Sequence, residues 1–557
     1  MKKSQLLGPD GNPLPLSAKQ RTSALNSHWN GSAYDAADYG GTHMHGWNPL
    51  LWSPDVEKNP FRDRIVARVR DLVRNDGWAS GVVTRILDNA IGGTFRPISK
   101  PDYRALKHKT GFSFDAEWAD EFGRAIDSHW RSWAEDDGRY CDSERRLTFS
   151  QIMWVAMRHE LIDGDALAIL PWLPERVGAG KAQYATTIQL VDPDRLSDPN
   201  NTFDQKYIRG GVHIDEWGAP LGYYIRKAHQ GDWFSADETV IWDYYERETD
   251  WGRPKVVHHF QPMRASEHKG AIGIFTPVLQ RLKMLIKYDS TELDSAIVNA
   301  IFAAFLESPF DPVSTADALG LDDVDGNIAQ YQENRREFHG EKKLTMGGVR
   351  IPTLFPGEKI NTITAVRPAS NFKDFENAVL RNVASGAGVS AQQVSNDWSD
   401  VNYSSARAAM LEAWKTMQRR RLSFAQGFAS PIRTAWLEEC CHTEKLPLPQ
   451  GVNADWLKEN FAQLKTPLCR CRWLGPGRGW IDPVSERQGA VLGMDAGLST
   501  LENEVAENAG EDWEEVVDQR AVEVRRFDQL GLQRPDWAGK EQTATQASTP
   551  PQKPSAK

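Results

Sequence analysis

The hydrophobic residues in the first half of the chain change from helical to strand spacing near residue 165. Between Pro60 and Gly92 they recur every three or four positions, and Asn75-Asp76-Gly77 divides this stretch into two predicted helices. Two further helices are predicted at residues 115–135 and 149–162. Five short strands separated by turn residues are then predicted at 166–171, 187–191, 211–214, 221–226 and 239–242. The pattern indicates an α+β fold.

The second half of the chain is dominated by helical spacing. A long helical pattern runs over 276–307 and ends at Ser308-Pro309, and a polar insertion follows, with strands predicted at 350–354 and 361–366. The next helix ends in Ser385-Gly386-Ala387-Gly388, where glycine can form a left-handed cap. Another begins near Ser404 or Ser405 as N-cap, and its hydrophobic face continues with a break near Pro431. Residues from Asp482 to about Phe527 are again helical.

Between the helix that ends at Gly388 and the helix that begins near Ser404 lies the most distinctive stretch of the chain, the 389–403 loop. It contains amides, hydroxyls, carboxylates and aromatic rings but no Lys or Arg. Such groups form weak hydrogen bonds to phosphates and sugars without an electrostatic clamp. Alternatively, its Trp and Tyr pack against the following helix. The candidate residues of this loop for such weak contacts are Gln392, Gln393, Asn396, Asp397, Trp398, Ser399, Asp400, Asn402 and Tyr403.

Charge is distributed unevenly along the chain. The formal net charge is −10, whereas a protein that grips duplex DNA usually shows a basic footprint. The segment 501–528 is strongly acidic. The basic cluster Arg419, Arg420 and Arg421 is a candidate for facing DNA or for pairing with the acidic surface of a neighbouring subunit. The overall charge is also compatible with a role in solubility alone.

Composition narrows the class of protein. Hydrophobic content of 40% is ordinary for a folded domain, and no apolar run reaches the roughly 18 residues that a membrane span requires. The N-terminus lacks the apolar stretch of a secretory signal, which predicts synthesis and folding in a cytoplasm. Five cysteines argue against a disulfide framework, and their spacing fits no zinc motif. No cofactor is predicted.

Two motifs that could bind a phosphate or a metal ion match their consensus patterns poorly. Gly178-Ala179-Gly180-Lys181-Ala182 lacks the first glycine and the hydroxyl residue of a phosphate-binding loop, so a turn is predicted. Asp163-Gly164-Asp165 offers two carboxylates for a divalent ion but sits at a predicted helix-to-strand turn. His258, His259 and His268 show no ligand-like spacing to it. A metal-dependent DNA-processing nuclease that uses Asp163, Asp165 and a histidine is the alternative function.

Several runs of sequence, in order, resemble the lambda-type portal proteins of tailed bacteriophages. The similarity covers most of residues 60–525. The matching runs are 68–95, 190–196, 211–226, 355–360, 371–414 and 476–500. A smaller head-to-tail adaptor is a third possibility, but the chain length and the number of matching runs argue against it.

The resemblance implies a non-enzymatic subunit of a ring of twelve copies at one vertex of a phage head. It implies partners: double-stranded DNA in transit, the large terminase subunit, capsid and scaffold proteins, and head–tail connector proteins, with no membrane. It also implies this order along the chain: an N-terminal arm (1–58), an α+β wing (59–275), a first stem helix (276–308), a clip (309–368), a second stem helix (369–388), a tunnel loop (389–403), a tunnel-side helix returning to the wing (404–481), a helical crown (482–532) and a disordered tail (533–557).

Overall fold

The chain forms two units, 1–57 and 58–557, of which a computed structural model describes part. The described residues are 46–270, 272–302, 337, 344–346, 349–351, 370–399, 402–480 and 482–532. Most of the predicted arm, the predicted strand 361–366 and the predicted tail from 533 onward lie outside these residues. Among the described helices, none is long and apolar enough to cross a membrane.

Five helices with interposed loops make up most of the described region before residue 165, that is, residues 46–164. They are α1 (Pro54–Asn75), α2 (Gly77–Ala90), α3 (Tyr103–Thr110), α4 (Ala116–Ala134) and α5 (Phe149–Asp163). The Asp76 side chain accepts a hydrogen bond from the Ala79 amide and caps α2, which confirms the predicted break between the first two helices. α1 begins earlier than the predicted Pro60, because Pro54 at its first position needs no hydrogen-bond donor.

The strands belong to small antiparallel sheets. β2 (Ala166–Ile169) pairs with β3 (Gln189–Val191) and with β8 (Val256–His259). A four-stranded sheet follows the order β4 (Ile208–Arg209), β5 (Val212–Ile214), β6 (Pro220–Arg226) and β7 (Trp242–Glu246). β1 (Arg96–Ser99) pairs with β11 (Cys471–Leu474), near the other end of the chain, and a hairpin joins β9 (Leu344–Met346) to β10 (Val349–Ile351).

One predicted strand was wrong. Residues Glu238–Val240 form a 3-10 turn, and the strand occupies Trp242–Glu246 instead. Pairing with β6 explains the shift, since Arg226 lies opposite Trp242 and Gly222 lies opposite Glu246. The turn residues before Trp242 are therefore needed to bring the chain back to the sheet edge.

The remaining described helices are α6 (Leu279–Phe302), α7 (Ser370–Ala387), α8 (Ala391–Ser395), α9 (Tyr403–Phe424), α10 (Ser430–Thr443), α11 (Ala454–Leu468), α12 (Pro483–Asp495), α13 (Leu501–Asn508) and α14 (Trp513–Leu530). They include two, α8 and α11, that the sequence pattern did not predict. A π-helical turn, Ala425–Ala429, joins α9 to α10 just before Pro431, which cannot donate a backbone hydrogen bond. It accounts for the predicted break.

An aromatic cluster fills the main core where α4, α5 and α10 meet. The Trp130 ring lies 5.0 Å from Trp436 and 4.7 Å from Phe149, centroid to centroid, and both pairs meet edge to face. Tyr184 reaches Trp436 from the sheet side at 5.5 Å. Edge-to-face contacts of this kind add to the stabilisation from burial. The core therefore binds the N-terminal helices to the helix that continues from α9.

Candidate functional site

The 389–403 loop is more ordered than its polar composition suggests. α7 ends at Ala387, and Gly388 takes a left-handed conformation with φ of 72°, as the sequence predicted. A Cβ atom at Gly388 would lie 2.9 Å from Thr416 Cγ2, so the position also requires a small residue. The next residues form α8, which places Gln392 and Gln393 in a helix instead of the predicted open loop.

A capping box holds α8 in place. The Ser390 hydroxyl accepts a hydrogen bond from the Gln393 amide, and Gln393 Oε1 accepts one from the Ser390 amide at 3.0 Å. Val394 is 5% exposed and is part of the main core. α8 also contacts α2. The first half of the 389–403 loop is thus a fixed base, and the Gln393 side chain is engaged in its structure.

The described residues that follow α8, 396–399, are exposed. Asn396 adopts a left-handed conformation, and Arg85 Nη2 of α2 donates to its Oδ1 at 2.9 Å. The side chains of Asp397 and Ser399 are exposed, and Trp398 is 39% exposed, so part of its ring reaches solvent. Packing of the rest of the ring against α9 stays a prediction. Ser399 donates from its hydroxyl (2.6 Å) and its amide to Asp397 Oδ1, and these hydrogen bonds lower the pKa of Asp397.

The loop ends at a helix cap that the sequence analysis assigned wrongly. Asn402, rather than Ser404 or Ser405, is the N-cap of α9, and its Oδ1 accepts from the Ser405 amide at 2.9 Å. Tyr403 is the first residue of α9, and Asp400 lies outside the described residues. The accessible tip formed by Asp397, Trp398 and Ser399 therefore carries one carboxylate and no cation.

The basic cluster does not act as a unit. Arg421 donates three hydrogen bonds of 2.8 Å, one to each of the carbonyl oxygens of Asn89, Ala90 and Pro476. Burial lowers the pKa of Arg421 to about 10, so it stays charged at neutral pH. These contacts account for the Arg421 side chain within the subunit, and its contact with DNA or a neighbouring subunit stays a prediction.

Arg420 is likewise part of the interior. It is 9% exposed, and its Nη2 donates to the carbonyl oxygen of Ala387 at the end of α7 at 3.0 Å. Arg419 is the exposed member. Successive residues of a helix point about 100° apart, so three consecutive arginines cannot face one surface.

The two carboxylates of the nuclease alternative are buried and neutralised. Asp165 is fully buried and accepts hydrogen bonds from Arg62 and from the Gly270 amide, and His258 Nε2 lies 3.0 Å from its Oδ1. Burial opposes ionisation of Asp165, but Arg62, His258 and Lys269 outweigh it and hold the pKa low. The spacing of the histidines along the chain gave no sign of a partner for Asp165, yet the pairing of β2 with β8 brings His258 next to its carboxylate.

Asp163 has a similar environment. Its Oδ2 lies 2.7 Å from His159 Nδ1, and its Oδ1 accepts from Arg70 Nε at 2.7 Å. His159, Asp163 and Asp192 are close enough together to ligate a metal ion. However, Arg70 also donates to Asp192, so a guanidinium supplies the positive charge there. The arrangement fits a structural ion-pair network better than a hydrolytic metal centre.

Other candidate motifs are structural. Gly178 and Lys181 are joined by a backbone hydrogen bond of 2.9 Å, so this segment is a turn as predicted. All five cysteines are free, and burial raises the pKa of the Cys440 and Cys469 thiols to about 12. Thiols in this state are poor metal ligands and nucleophiles. The groups of described residues that could hold a metal include no cysteine.

Comparison with known proteins gives the family. A family model described as "Phage portal protein, lambda family" matches residues 40–421. The chain belongs to this family. The portal protein of Escherichia phage N15 is 32% identical over 97% of this chain and 96% of its own. Portal protein B of Escherichia phage lambda is 32% identical over 96% of this chain and 94% of its own. The probable portal protein of Halomonas phage phiHAP-1 is 24% identical over 88% of this chain and 86% of its own.

The relatives define the class of function. This chain is a portal protein of a phage head, a structural component of the virion at the head vertex and not an enzyme. A solved chain from the virion of a native gene transfer agent particle covers 76% of this chain and 98% of its own length. Its identity is 13% and its TM-score 0.33, so the assignment relies on the sequence relatives.

Some residues that shape the 389–403 loop in this portal protein escaped the sequence analysis. Arg85 reaches Asn396 from a helix far away in sequence, and no local signal marks it. Ser390 and Gln393, by contrast, have the spacing of a capping box, which could have identified α8. Glu486 of α12 lies 3.3 Å from Arg407 of α9, again without a sequence signal.

Proposed function

We propose that this portal protein assembles into a closed ring, of twelve subunits by family resemblance, and that the 389–403 loops line its central channel. Double-stranded DNA passes these loops when the terminase packages the genome and again at ejection. The ring also nucleates the procapsid with capsid and scaffold proteins in the host cytoplasm, and later binds the connector proteins of the tail.

We assign the parts of the ring as the sequence resemblance implies. Residues 59–275 form the wing, α6 and α7 the two stem helices, and 309–368 the clip that docks the terminase. Residues 404–481 form the tunnel-side helix and its return to the wing, and residues 482–532 form the crown. The matching bounds of α7, Ser370–Ala387, support the placement of the second stem helix.

The observation that carries the proposal is the combination of a fixed base and a cation-free tip. The base is held by the Ser390 capping box, by buried Val394 and by Arg85. The tip offers Asp397, Trp398 and Ser399 to its surroundings. DNA sliding past the loop meets weak hydrogen bonds and the carboxylates of Asp397 and Asp400, and the loop contributes no cation that would arrest it.

The experiment adds positive charge to the tip without disturbing the base. Asp397→Lys with Ser399→Lys adds three positive charges per subunit, whereas lysine at Asn396 would replace the residue bonded to Arg85. Each cation that neutralises a phosphate releases counterions and strengthens binding. We expect normal rings and shortened or slowed DNA packaging, measured as packaged DNA length and infectious yield.

A matched control carries the same charge change on an exposed surface of the proposed wing. Gln230→Lys with Asp237→Lys adds three charges at two exposed positions far from the loop in sequence. We expect normal packaging from this variant. If correctly assembled rings with lysines at 397 and 399 package as well as the control, the loop does not line the DNA path.

A further inference from the structure

The C-terminal helices, α12–α14, are attached to the rest of the subunit by charged contacts and by Ala506 of α13, which packs with Ile98 and Leu474. Neither α12 nor α14 contains a fully buried residue. Glu515 of α14 is paired with Arg96 and with Arg131, the latter at 2.7 Å, and Glu514 lies 2.9 Å from Arg124. These ion pairs hold α14 to β1 and α4. A different contact reaches toward the 389–403 loop.

Glu486 of α12 extends into a small cavity beneath the loop. Its side chain is 6% exposed although the helix that bears it is otherwise on the surface. The cavity, about 40 Å³, is also lined by Gln393 of α8 and by Trp414 of α9. The Glu486 side chain therefore lines the same cavity as Gln393, a residue of the base of the 389–403 loop.

Two arginines hold this carboxylate. Arg407 Nη2 lies 3.3 Å from Glu486 Oε1, and Arg478 Nη2 lies 3.8 Å from Oε2. Arg407 is about one helical turn beyond Asn402, the residue that ends the loop. Arg478 Nη2 also lies 3.1 Å from Asn508 Oδ1 of α13. The carboxylate thus joins α9, α12 and, through Arg478, α13.

We propose that Glu486 is a positioning residue that couples the C-terminal helices to the 389–403 loop. Because the carboxylate lies between two guanidinium groups, its loss leaves two like charges facing one cavity. α9 can then shift at its N-terminal turn, and the loop base that shares the cavity loosens. The structural coupling depends only on these contacts, whereas its consequence for DNA passage rests on the proposed function.

The test is amide hydrogen exchange of peptides that span residues 389–402 in the full-length protein. Glu486→Gln keeps the shape of the side chain and removes its charge. We expect exchange to quicken roughly fivefold, between the effects of exposed and of fully buried ion pairs. Arg407→Gln should act similarly, and the double variant should exceed neither single variant by much, since both remove one contact.

The matched control is Glu515→Gln, which weakens attachment of the same helices at Arg96 and Arg131. It should leave exchange in the loop unchanged. The coupling is refuted if Glu486→Gln leaves loop exchange at the wild-type rate, if Glu515→Gln quickens it equally, or if the Glu486 and Arg407 effects add fully. None of these outcomes depends on DNA, whereas the lysine experiment alone decides whether the loop lines the channel.

Discussion

Arg421 provides a direct test of whether the basic cluster is structural. Its guanidinium donates to three carbonyl oxygens, two at the end of α2 and one at Pro476, and so joins three separate segments. A Cβ atom at Gly475 would lie 2.8 Å from Arg421 Nε, so the chain makes room for this side chain. Arg421→Ala should therefore destabilise the subunit strongly, whereas Arg419→Ala, at the neighbouring exposed position, should not.

The magnitude follows from the hydrogen bonds. A bond to a charged group contributes about 1.5–3 kcal/mol, and three bonds from one group do not add fully. Since water can reach part of the site, we expect a loss of about 3 kcal/mol for Arg421→Ala. Arg421→Lys keeps the charge but not the planar fork, and should lose about 2 kcal/mol. Arg419→Ala should stay within about 0.5 kcal/mol of the wild type, as exposed substitutions do.

The assay is urea unfolding followed by tryptophan fluorescence, with gel filtration to compare assembly. The decisive variant is Arg421→Lys. If it unfolds at the same urea concentration as the wild type, charge alone matters at this position. In that case the three carbonyl contacts do not explain why the arginine is there, and contact with DNA or a neighbouring subunit regains support.

Three other predictions follow from single positions. Gly388→Ala should cost about 2 kcal/mol in a melting experiment because of the positive φ and the close Thr416 methyl, whereas Gly178→Ala, which has open space, should be near neutral. Burial raises the pKa of Glu160 to about 7, so the stability that its protonated side chain contributes is lost as the pH rises from about 4.5 through 7. The free energy of unfolding of Glu160→Gln should therefore gain up to about 3 kcal/mol over that of the wild type across this window, measured by unfolding at pH 5 and 8. Asp165→Asn should lower stability, because it removes the carboxylate that neutralises the buried Arg62 guanidinium. Neither the wild type nor this variant should show magnesium-dependent nuclease activity, and cleavage that this change abolished would revive the enzyme alternative.

Local patterns predicted the helices well. The bounds of α4, α5 and α7 follow from hydrophobic spacing and from caps such as Asp115, which accepts from the Trp118 amide. Pairings between distant segments could not be predicted. β1 and β11 are four residues each, and neither has a pattern that marks it as a strand before its partner is known.

The candidate site illustrates the same limit. Composition identified the 389–403 loop as polar and free of cations, and that holds for its exposed tip. A local capping box orders part of its base, and the spacing of Ser390 and Gln393 in the sequence could have predicted it. The base is also held by Arg85 and by the core around Val394, and no local sequence pattern predicts these contacts. Likewise, the roles of Arg420 and Arg421 depend on which carbonyl oxygens other helices bring near them.

Electron microscopy of the purified full-length protein in negative stain tests the central claim most directly. Helices with exposed apolar side chains, such as α12 with Val484, Val491 and Leu492, are expected to find partners in neighbouring copies. We expect top views of closed rings with a central hole wide enough for duplex DNA, about 20 Å or more, and with rotational symmetry near twelvefold. Uniform particles of single subunits or of compact dimers without a hole, under conditions in which the protein is folded, would contradict it.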